Sequence, residues 1–256
     1  MVATPRRLYV HDDLIDEVRA RLGDGSPAVC LAEALLALLG RDAGRVRILT
    51  LDEQLAALVA RGDHAPFDVT LAIGHAGERV ARQLDARTGW FPRIRRLGLT
   101  REEDGRGSYA LASTTGAPLA TQLENLEGCR SVAVVDDTVY SGLTMGSVLA
   151  ALSAAARARA HAFCLRAVGE SLEAIRRLCP IDVGLAAPGR RDEDVSFINA
   201  SGLVFRGAIR RAGQPPLAFF ERPAWIHAWF AGYGDEVIAR CRELHALLAP
   251  ADLTVR

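Results

Sequence analysis

One run constrains this chain more than any other: Ser131-Val132-Ala133-Val134-Val135-Asp136-Asp137-Thr138-Val139-Tyr140-Ser141-Gly142-Leu143-Thr144. An apolar strand, Val132 to Val135, ends in two adjacent carboxylates. A short turn carrying hydroxyls and a glycine follows, and then a helical run from Met145 to Ala156. That order puts two acids and a ring of backbone N–H groups at the carboxyl end of a buried strand, where open α/β sheets bind their ligands. A turn that opens a helix N-terminus suits a phosphate, because unpaired amides and the helix dipole both favour an anion. The acids cannot serve that phosphate, so they face something else, such as sugar hydroxyls or a hydrated metal. A phosphorylated sugar needs both.

The surrounding pattern predicts where such a strand sits. Leu8 to Val10 reads as a short strand, Asp12 to Leu22 and Pro27 to Leu39 as helices, and Val46 to Leu49 as a strand. A helix from Asp52 to Arg61 and a buried strand from Asp68 to Ile73 come next. Gly74-His75-Ala76-Gly77 is then a tight turn into a helix over Glu78 to Arg87, followed by a strand from Arg93 to Leu99. After the opening run come a strand Ala160 to Val168, a helix Ser171 to Leu178 and a strand Ile181 to Leu185. Such alternation predicts an α/β fold, a parallel sheet flanked by helices with right-handed crossovers. Between these halves, Thr100 to Pro118 is polar and dotted with glycines, the signature of a functional or mobile loop. Beyond Pro188 the alternation fails. A charged loop to Val195, strands within Phe197 to Phe205, a turn at Gln214-Pro215-Pro216, an aromatic cluster from Phe219 to Tyr233 and a final helix from Asp235 to Leu248 are expected.

Composition narrows the classes. A chain of 256 residues, half apolar and a quarter charged, is an ordinary soluble protein in balance. The formal net charge is zero, which gives no bias toward nucleic acid. No apolar run reaches membrane-spanning length and the first residues are too charged for a signal peptide, so a cytoplasmic protein is expected. All 31 basic residues are Arg, so any side-chain cation meeting a phosphate does so as a planar fork. The five cysteines show no paired spacing and read as reduced thiols.

The stretch from Val134 to Thr144 resembles the binding motif for 5-phosphoribosyl 1-diphosphate (PRPP) of type I phosphoribosyltransferases, in which two hydrophobic residues precede an acidic pair and a Thr/Ser-Gly-x-Thr loop closes the motif. The resemblance covers residues 28 to 190, weakening away from the motif. It implies a phosphoribosyltransferase-like core over 28–190, an N-terminal extension over 1–27 and a variable hood from the terminal segments, chiefly 191–256. It also implies Mg²⁺ as cofactor, PRPP and a small heterocyclic acceptor as ligands, and a homodimer.

Residue by residue, the resemblance assigns the ribose hydroxyls to Asp136 and Asp137 as catalytic acids, which also orient Mg²⁺ through water or sugar oxygens. It assigns the 5′-phosphate to Thr138, Val139, Tyr140, Ser141, Gly142, Leu143 and Thr144. Gly74, His75, Ala76 and Gly77 match the family's pyrophosphate loop, and Arg95, Arg96, Arg101 and Arg106 are candidate pyrophosphate partners. Ser108-Tyr109 resembles the Ser-Tyr pair of the 6-oxopurine enzymes' mobile loop. For the acceptor pocket the candidates are Tyr140, Asp182, Val183 and Trp225; the aromatics around Trp225 suit a small core of the hood or a dimer contact better than a stacking surface.

The chemistry so implied displaces pyrophosphate from the anomeric carbon by a nitrogen of the acceptor, through an oxocarbenium-like transition state. Tyr140 departs from the 6-oxopurine enzymes, which carry an Asp there, and a phenol with an unperturbed pKa near ~10 is a poor proton acceptor. A Tyr before the Ser-Gly pair resembles the bifunctional pyrimidine regulator with uracil phosphoribosyltransferase activity, but that family has Arg where Leu143 stands. A nucleotide- or PRPP-sensing regulator without turnover, and an enzyme running the reaction in reverse, are the rival readings.

Overall fold

The structure, a computed structural model, describes residues 4–104 and 108–248. Along the chain come β1 (Arg7–His11), α1 (Leu14–Leu22), α2 (Pro27–Leu39), β2 (Val46–Leu49) and α3 (Leu51–Val59). Then follow β3 (Val69–Ile73), α4 (Gly74–Thr88), β4 (Ile94–Leu97), β5 (Leu99–Glu103), β6 (Tyr109–Ser113) and the short α5 (Leu119–Gln122). The central run forms β7 (Val132–Val139), α6 (Leu143–Ala151), α7 (Ala154–Arg157), β8 (Ala160–Val168), α8 (Gly169–Arg176) and β9 (Ile181–Ala187). The last part holds β10 (Val195–Asn199), α9 (Ala200–Val204), β11 (Ile209–Arg211), β12 (Gln214–Leu217), α10 (Pro223–Trp229) and α11 (Gly234–Leu248).

Two compact units share these elements: the described residues within 52–191 form one, and those of 4–51 with 192–248 form the other. The first is a five-stranded parallel sheet in the order β4-β3-β7-β8-β9, flanked by helices. β3 and the first half of β7, Val132 to Val135, are near-continuous apolar runs, as strands covered on both faces are. Strand order runs one way from β3 to β4 and the other way from β7 through β8 to β9, so it reverses between β3 and β7. With right-handed crossovers, the two arms place α4 and α6 on opposite faces. Val148 and Leu149 of α6 and Leu172 and Ile175 of α8 close one core over Leu71, Val132, Val134 and Cys164. Against β7, α4 comes so near that a side chain at Gly77 would put its Cβ 2.5 Å from the Val135 carbonyl oxygen.

The other unit is built on a three-stranded parallel sheet in the order β10-β1-β2. Its core joins Leu8 and Val10 to Leu35 and Leu39 of α2 and to Val237, Cys241 and Leu244 of α11. The helix α2 begins where the sequence places it, with Pro27 in its first turn and the Ser26 hydroxyl accepting from the Ala28 amide at 3.3 Å. Among the described residues no helix is long and apolar enough to cross a membrane.

Several expectations give way here. Residues 28–51 do not belong with the central core; β2 and β10 both pair with β1, which draws the first and last segments into one unit. Thr100 to Pro118 is no structureless loop: β5 and β6 pair antiparallel from Leu99↔Ser113 to Glu103↔Tyr109. The expected helix from Met145 to Ala156 is broken, because Leu152 is extended (ψ 143°) and the Ser153 hydroxyl caps the separate α7. Asn199 ends β10 and a helix, not a strand, follows it; Gln214-Pro215-Pro216 lies in β12, paired with β11.

Candidate functional site

In open α/β sheets the crevice for ligands opens at the carboxyl ends of the strands where strand order reverses. Here that position is the end of β3 and β7, and the chain places Gly74 and the acidic pair there. Asp136 is buried, and its Oδ1 accepts from the Asp137 amide at 2.8 Å. Burial, and next the charge of Asp137, push the Asp136 carboxyl well above the usual carboxylate range, while Arg101 on β5 pulls the other way.

A buried arginine holds the second acid. Arg166 on β8 is 1% exposed; its Nη2 donates to Asp137 Oδ2 at 3.1 Å and its Nη1 to Gln54 Oε1 at 2.9 Å. Gln54 lies on the inner side of α3 and is itself buried. A guanidinium never gives up its proton, so Arg166 stands as a permanent cation against Asp137, and Gln54 fixes the arginine from its other side. Neither Arg166 nor Gln54 was among the expected site residues. For Arg166 a signal was present: a lone Arg inside the apolar run Ala160 to Val168 needs an acid beside it.

The turn after the acids is shorter than expected. β8 continues to Val168 and gives β7 a ladder partner past the acidic pair, so Thr138 and Val139 lie in the strand, paired with Arg166 and Ala167. Val139 is buried, so the turn between strand and helix, where the sequence places the 5′-phosphate, narrows to Tyr140, Ser141, Gly142, Leu143 and Thr144. Gly142 takes φ +75° as the N-cap of α6, a conformation that favours glycine, and the Ser141 hydroxyl accepts from the Leu143 amide at 3.3 Å. The Ser171 hydroxyl of α8 donates to the Tyr140 carbonyl, tying the turn to the neighbouring helix. The first amides of α6 have no carbonyl within the helix to bond, and the helix dipole adds to their pull on an anion.

On the adjoining strand, Gly74 at φ +62° makes the turn itself, and α4 starts from it without an intervening loop. His75, Ala76 and Gly77 are thus the first helical turn, a second set of leading amides at the same edge. The arginines divide. Arg95 Nη1 donates to the Glu124 carbonyl at 2.9 Å, and Arg96 Nη1 to His75 Nδ1 at 2.9 Å and Glu78 Oε2 at 3.2 Å. Arg101 is exposed and is the one whose charge reaches Asp136. Arg106 lies outside the described residues. Ser108 and Tyr109 begin the returning arm of the hairpin, where the Ser108 amide donates to Asp104 Oδ1 at 3.1 Å and Tyr109 is 41% exposed.

The acceptor residues are not brought together. Asp182 and Val183 lie near the start of β9, so Asp182 stands at the amino side of the strand, level with Phe163 and Val135, and Val183 is buried. Asp182 bonds to two histidines there. Trp225 belongs to the other unit and packs in its aromatic core, with ring centroids 6.1 Å from Phe219 and 5.7 Å from Trp229.

No protein-family model matches the chain, and no curated protein matches it. Among solved structures, a purine phosphoribosyltransferase from Pyrococcus horikoshii aligns at 16% identity over 57% of this chain and 86% of its own, with a TM-score of 0.37. A hypothetical protein from Neisseria gonorrhoeae with bound ppGpp aligns at 20% identity over 58% of this chain and 85% of its own, TM-score 0.40. A protein from Aquifex aeolicus aligns at 14% identity over 68% of this chain and 82% of its own, TM-score 0.39.

Proposed function

We propose that the protein is a phosphoribosyltransferase that binds PRPP at the carboxyl ends of β3 and β7 and transfers its phosphoribosyl group to a nitrogen heterocycle, releasing pyrophosphate. The carrying observation is the acidic pair, Asp136 buried and Asp137 beside it, set before a glycine-capped helix N-terminus where strand order reverses. Amides and hydroxyls from Tyr140 to Thr144 would take the 5′-phosphate, and Asp136 and Asp137 the ribose hydroxyls. Arg166 and Gln54 act as positioning residues, holding the Asp137 carboxylate toward the sugar. The first turn of α4 and Arg101 would meet the pyrophosphate. The Thr138 Oγ1, buried without a hydrogen-bond partner among the described residues, fits a site that a polar ligand completes.

Charge favours the same reading. Two adjacent carboxylates, one buried, repel each other even with Arg166 paired to the second, and a further positive charge beside Asp136 relieves that repulsion. A ring that becomes cationic in the transition state supplies such a charge, so its stabilisation is greatest at the moment of bond cleavage. The donor set also fits a hydrated Mg²⁺ held by Asp136 and Asp137 through water or sugar oxygens. When bound, that ion would spread the charge of the leaving pyrophosphate.

The test is pyrophosphate release from PRPP with Mg²⁺ across a panel of purine, pyrimidine and related heterocycles. Release with at least one acceptor is expected, and Asp137→Asn should lower it by about 100-fold or more, the size of a lost electrostatic contact in a transition state. PRPP binding without release from any acceptor would make the chain a PRPP- or nucleotide-sensing protein and sink the transferase reading.

A further inference from the structure

We propose that His64, His161 and Asp182 bind one divalent transition-metal ion of the zinc class at the amino side of the sheet. His64 lies in the segment between α3 and β3, His161 is the second residue of β8 and Asp182 the second of β9. The two imidazoles converge on one carboxylate oxygen: Asp182 Oδ2 is 2.8 Å from His64 Nε2 and 3.1 Å from His161 Nε2. All three potential ligand atoms fall within 4.8 Å of one another. Bonds of about 2.0–2.2 Å from zinc to nitrogen and oxygen put tetrahedral ligand atoms about 3.3 Å apart. Each ring nitrogen therefore has to move from Asp182 Oδ2 by roughly half an ångström or less to admit the ion, with the two nitrogens brought to the same spacing.

The ring nitrogens choose the metal. Two imidazoles and one carboxylate suit Zn²⁺, Co²⁺ or Ni²⁺, whereas Mg²⁺ and Ca²⁺ prefer oxygen throughout. The rings would bind as neutral tautomers carrying the proton on Nδ1, with Nε2 as ligand. Side chains 18%, 25% and 23% exposed at His64, Asp182 and His161 leave solvent access for the ion and for a water completing its shell.

The segment that carries His64 is fixed, as a ligand segment must be. Arg61 donates to the Gly184 carbonyl at 3.2 Å, and the Trp90 indole to Asp63 Oδ1 at 3.1 Å. The same Asp63 oxygen accepts from the His64 amide at 3.0 Å. The rings are held as well: His161 stacks on Phe163 with centroids 4.7 Å apart, and His64 stands edge-on to Phe163 at 5.1 Å and to Trp90 at 4.8 Å.

This site is separate from the acidic pair. His161 pairs with Ala133, three residues before Asp136 on β7, a step of about 10 Å along the strand. Its failure would leave the transferase reading standing, and the converse also holds.

Tag-free, metal-stripped full-length protein titrated with Zn²⁺ by calorimetry tests the proposal, with Co²⁺ absorption in the visible as a second probe. One saturable site per chain is expected, not displaced by tenfold excess Mg²⁺. Asp182→Asn and His161→Gln, which keep side-chain size and hydrogen-bonding capacity, should each weaken Zn²⁺ binding by about 100-fold or more. Circular dichroism checks that each variant is folded, and His64→Gln provides an independent third variant. No saturable binding below millimolar Zn²⁺ would overturn the proposal, leaving Asp182 as a hydrogen-bond hub for two imidazoles. Equal affinity in wild type and in the folded variants would overturn it too.

Discussion

Asp136 is where function and stability pull apart. Its folded-state pKa is raised, so the stability tied to its protonated form is fully present below the unfolded value and lost as pH rises through the folded one. At neutral pH the acidic pair is therefore a liability, only partly offset by the Asp137 amide and then by Arg101. Asp136→Asn removes that charge and keeps an oxygen for the Asp137 amide. The variant should be more stable than wild type at pH 7 by about 1–3 kcal/mol, the cost of a poorly compensated buried polar group. The gain should shrink toward pH 3, below the ordinary Asp value of about 3.9, where both side chains are neutral. Chemical denaturation at the two pH values measures this, and a wild type that is the more stable at pH 7 would contradict it. Pyrophosphate release should fall in the same variant, the trade expected of a residue kept for its ligand.

Elements meet this site through backbone approach. Gly77 lets α4 lie against β7, with room for no Cβ: the Val135 carbonyl oxygen would be 2.5 Å away. Gly77→Ala gains about 1 kcal/mol of helix propensity but forces a helix off a central strand, and overpacking of that kind costs about 1–3 kcal/mol. The net effect should be a lower unfolding midpoint. Gly146→Ala, whose Cβ would meet the Ile175 Cδ1 at an ordinary 3.6 Å, should raise it. Thermal unfolding of the two variants side by side separates packing from propensity. These details show which elements a sequence discloses. Strands β2 and β8 and helix α2 coincide with their expected spans because apolar runs are bounded by breakers and caps. The hairpin β5–β6 was hidden because its strands carry Arg101, Glu102, Glu103 and an exposed Tyr109, so neither arm shows the apolar face by which strands are recognised. Asp136, Asp137 and the Gly142 turn were legible as one contiguous run. Arg166 showed only as a lone cation inside an apolar run, and Gln54 and the His64–His161–Asp182 cluster not at all, since pairing across 21 to 118 residues leaves no local pattern.

At the scale of the whole molecule, the sheet orders dictate how the chain can be divided. β1 is the middle strand of its sheet, and its partners β2 and β10 lie on either side of the 52–191 unit in sequence. The terminal unit is thus discontinuous, and its core needs α2 from one segment and α9 to α11 from the other. Neither segment can bury its apolar face without the other. The central unit is continuous, with a core that draws only on its own strands and helices, from Val69 to Val183. A domain of about 140 residues lies within the ordinary range for independent folding. A fragment spanning 52–191 should therefore unfold in one cooperative transition and keep Zn²⁺ binding, since His64, His161 and Asp182 all lie within it. A fragment spanning 1–191 should add little ordered structure to it, because β1 and α2 are then without β10 and α11. Far-UV circular dichroism per chain and the denaturant midpoint compare the two directly. If the longer fragment gains the helicity of α1 and α2 with a single sharper transition, the terminal unit does not depend on its second segment and this division of the chain fails.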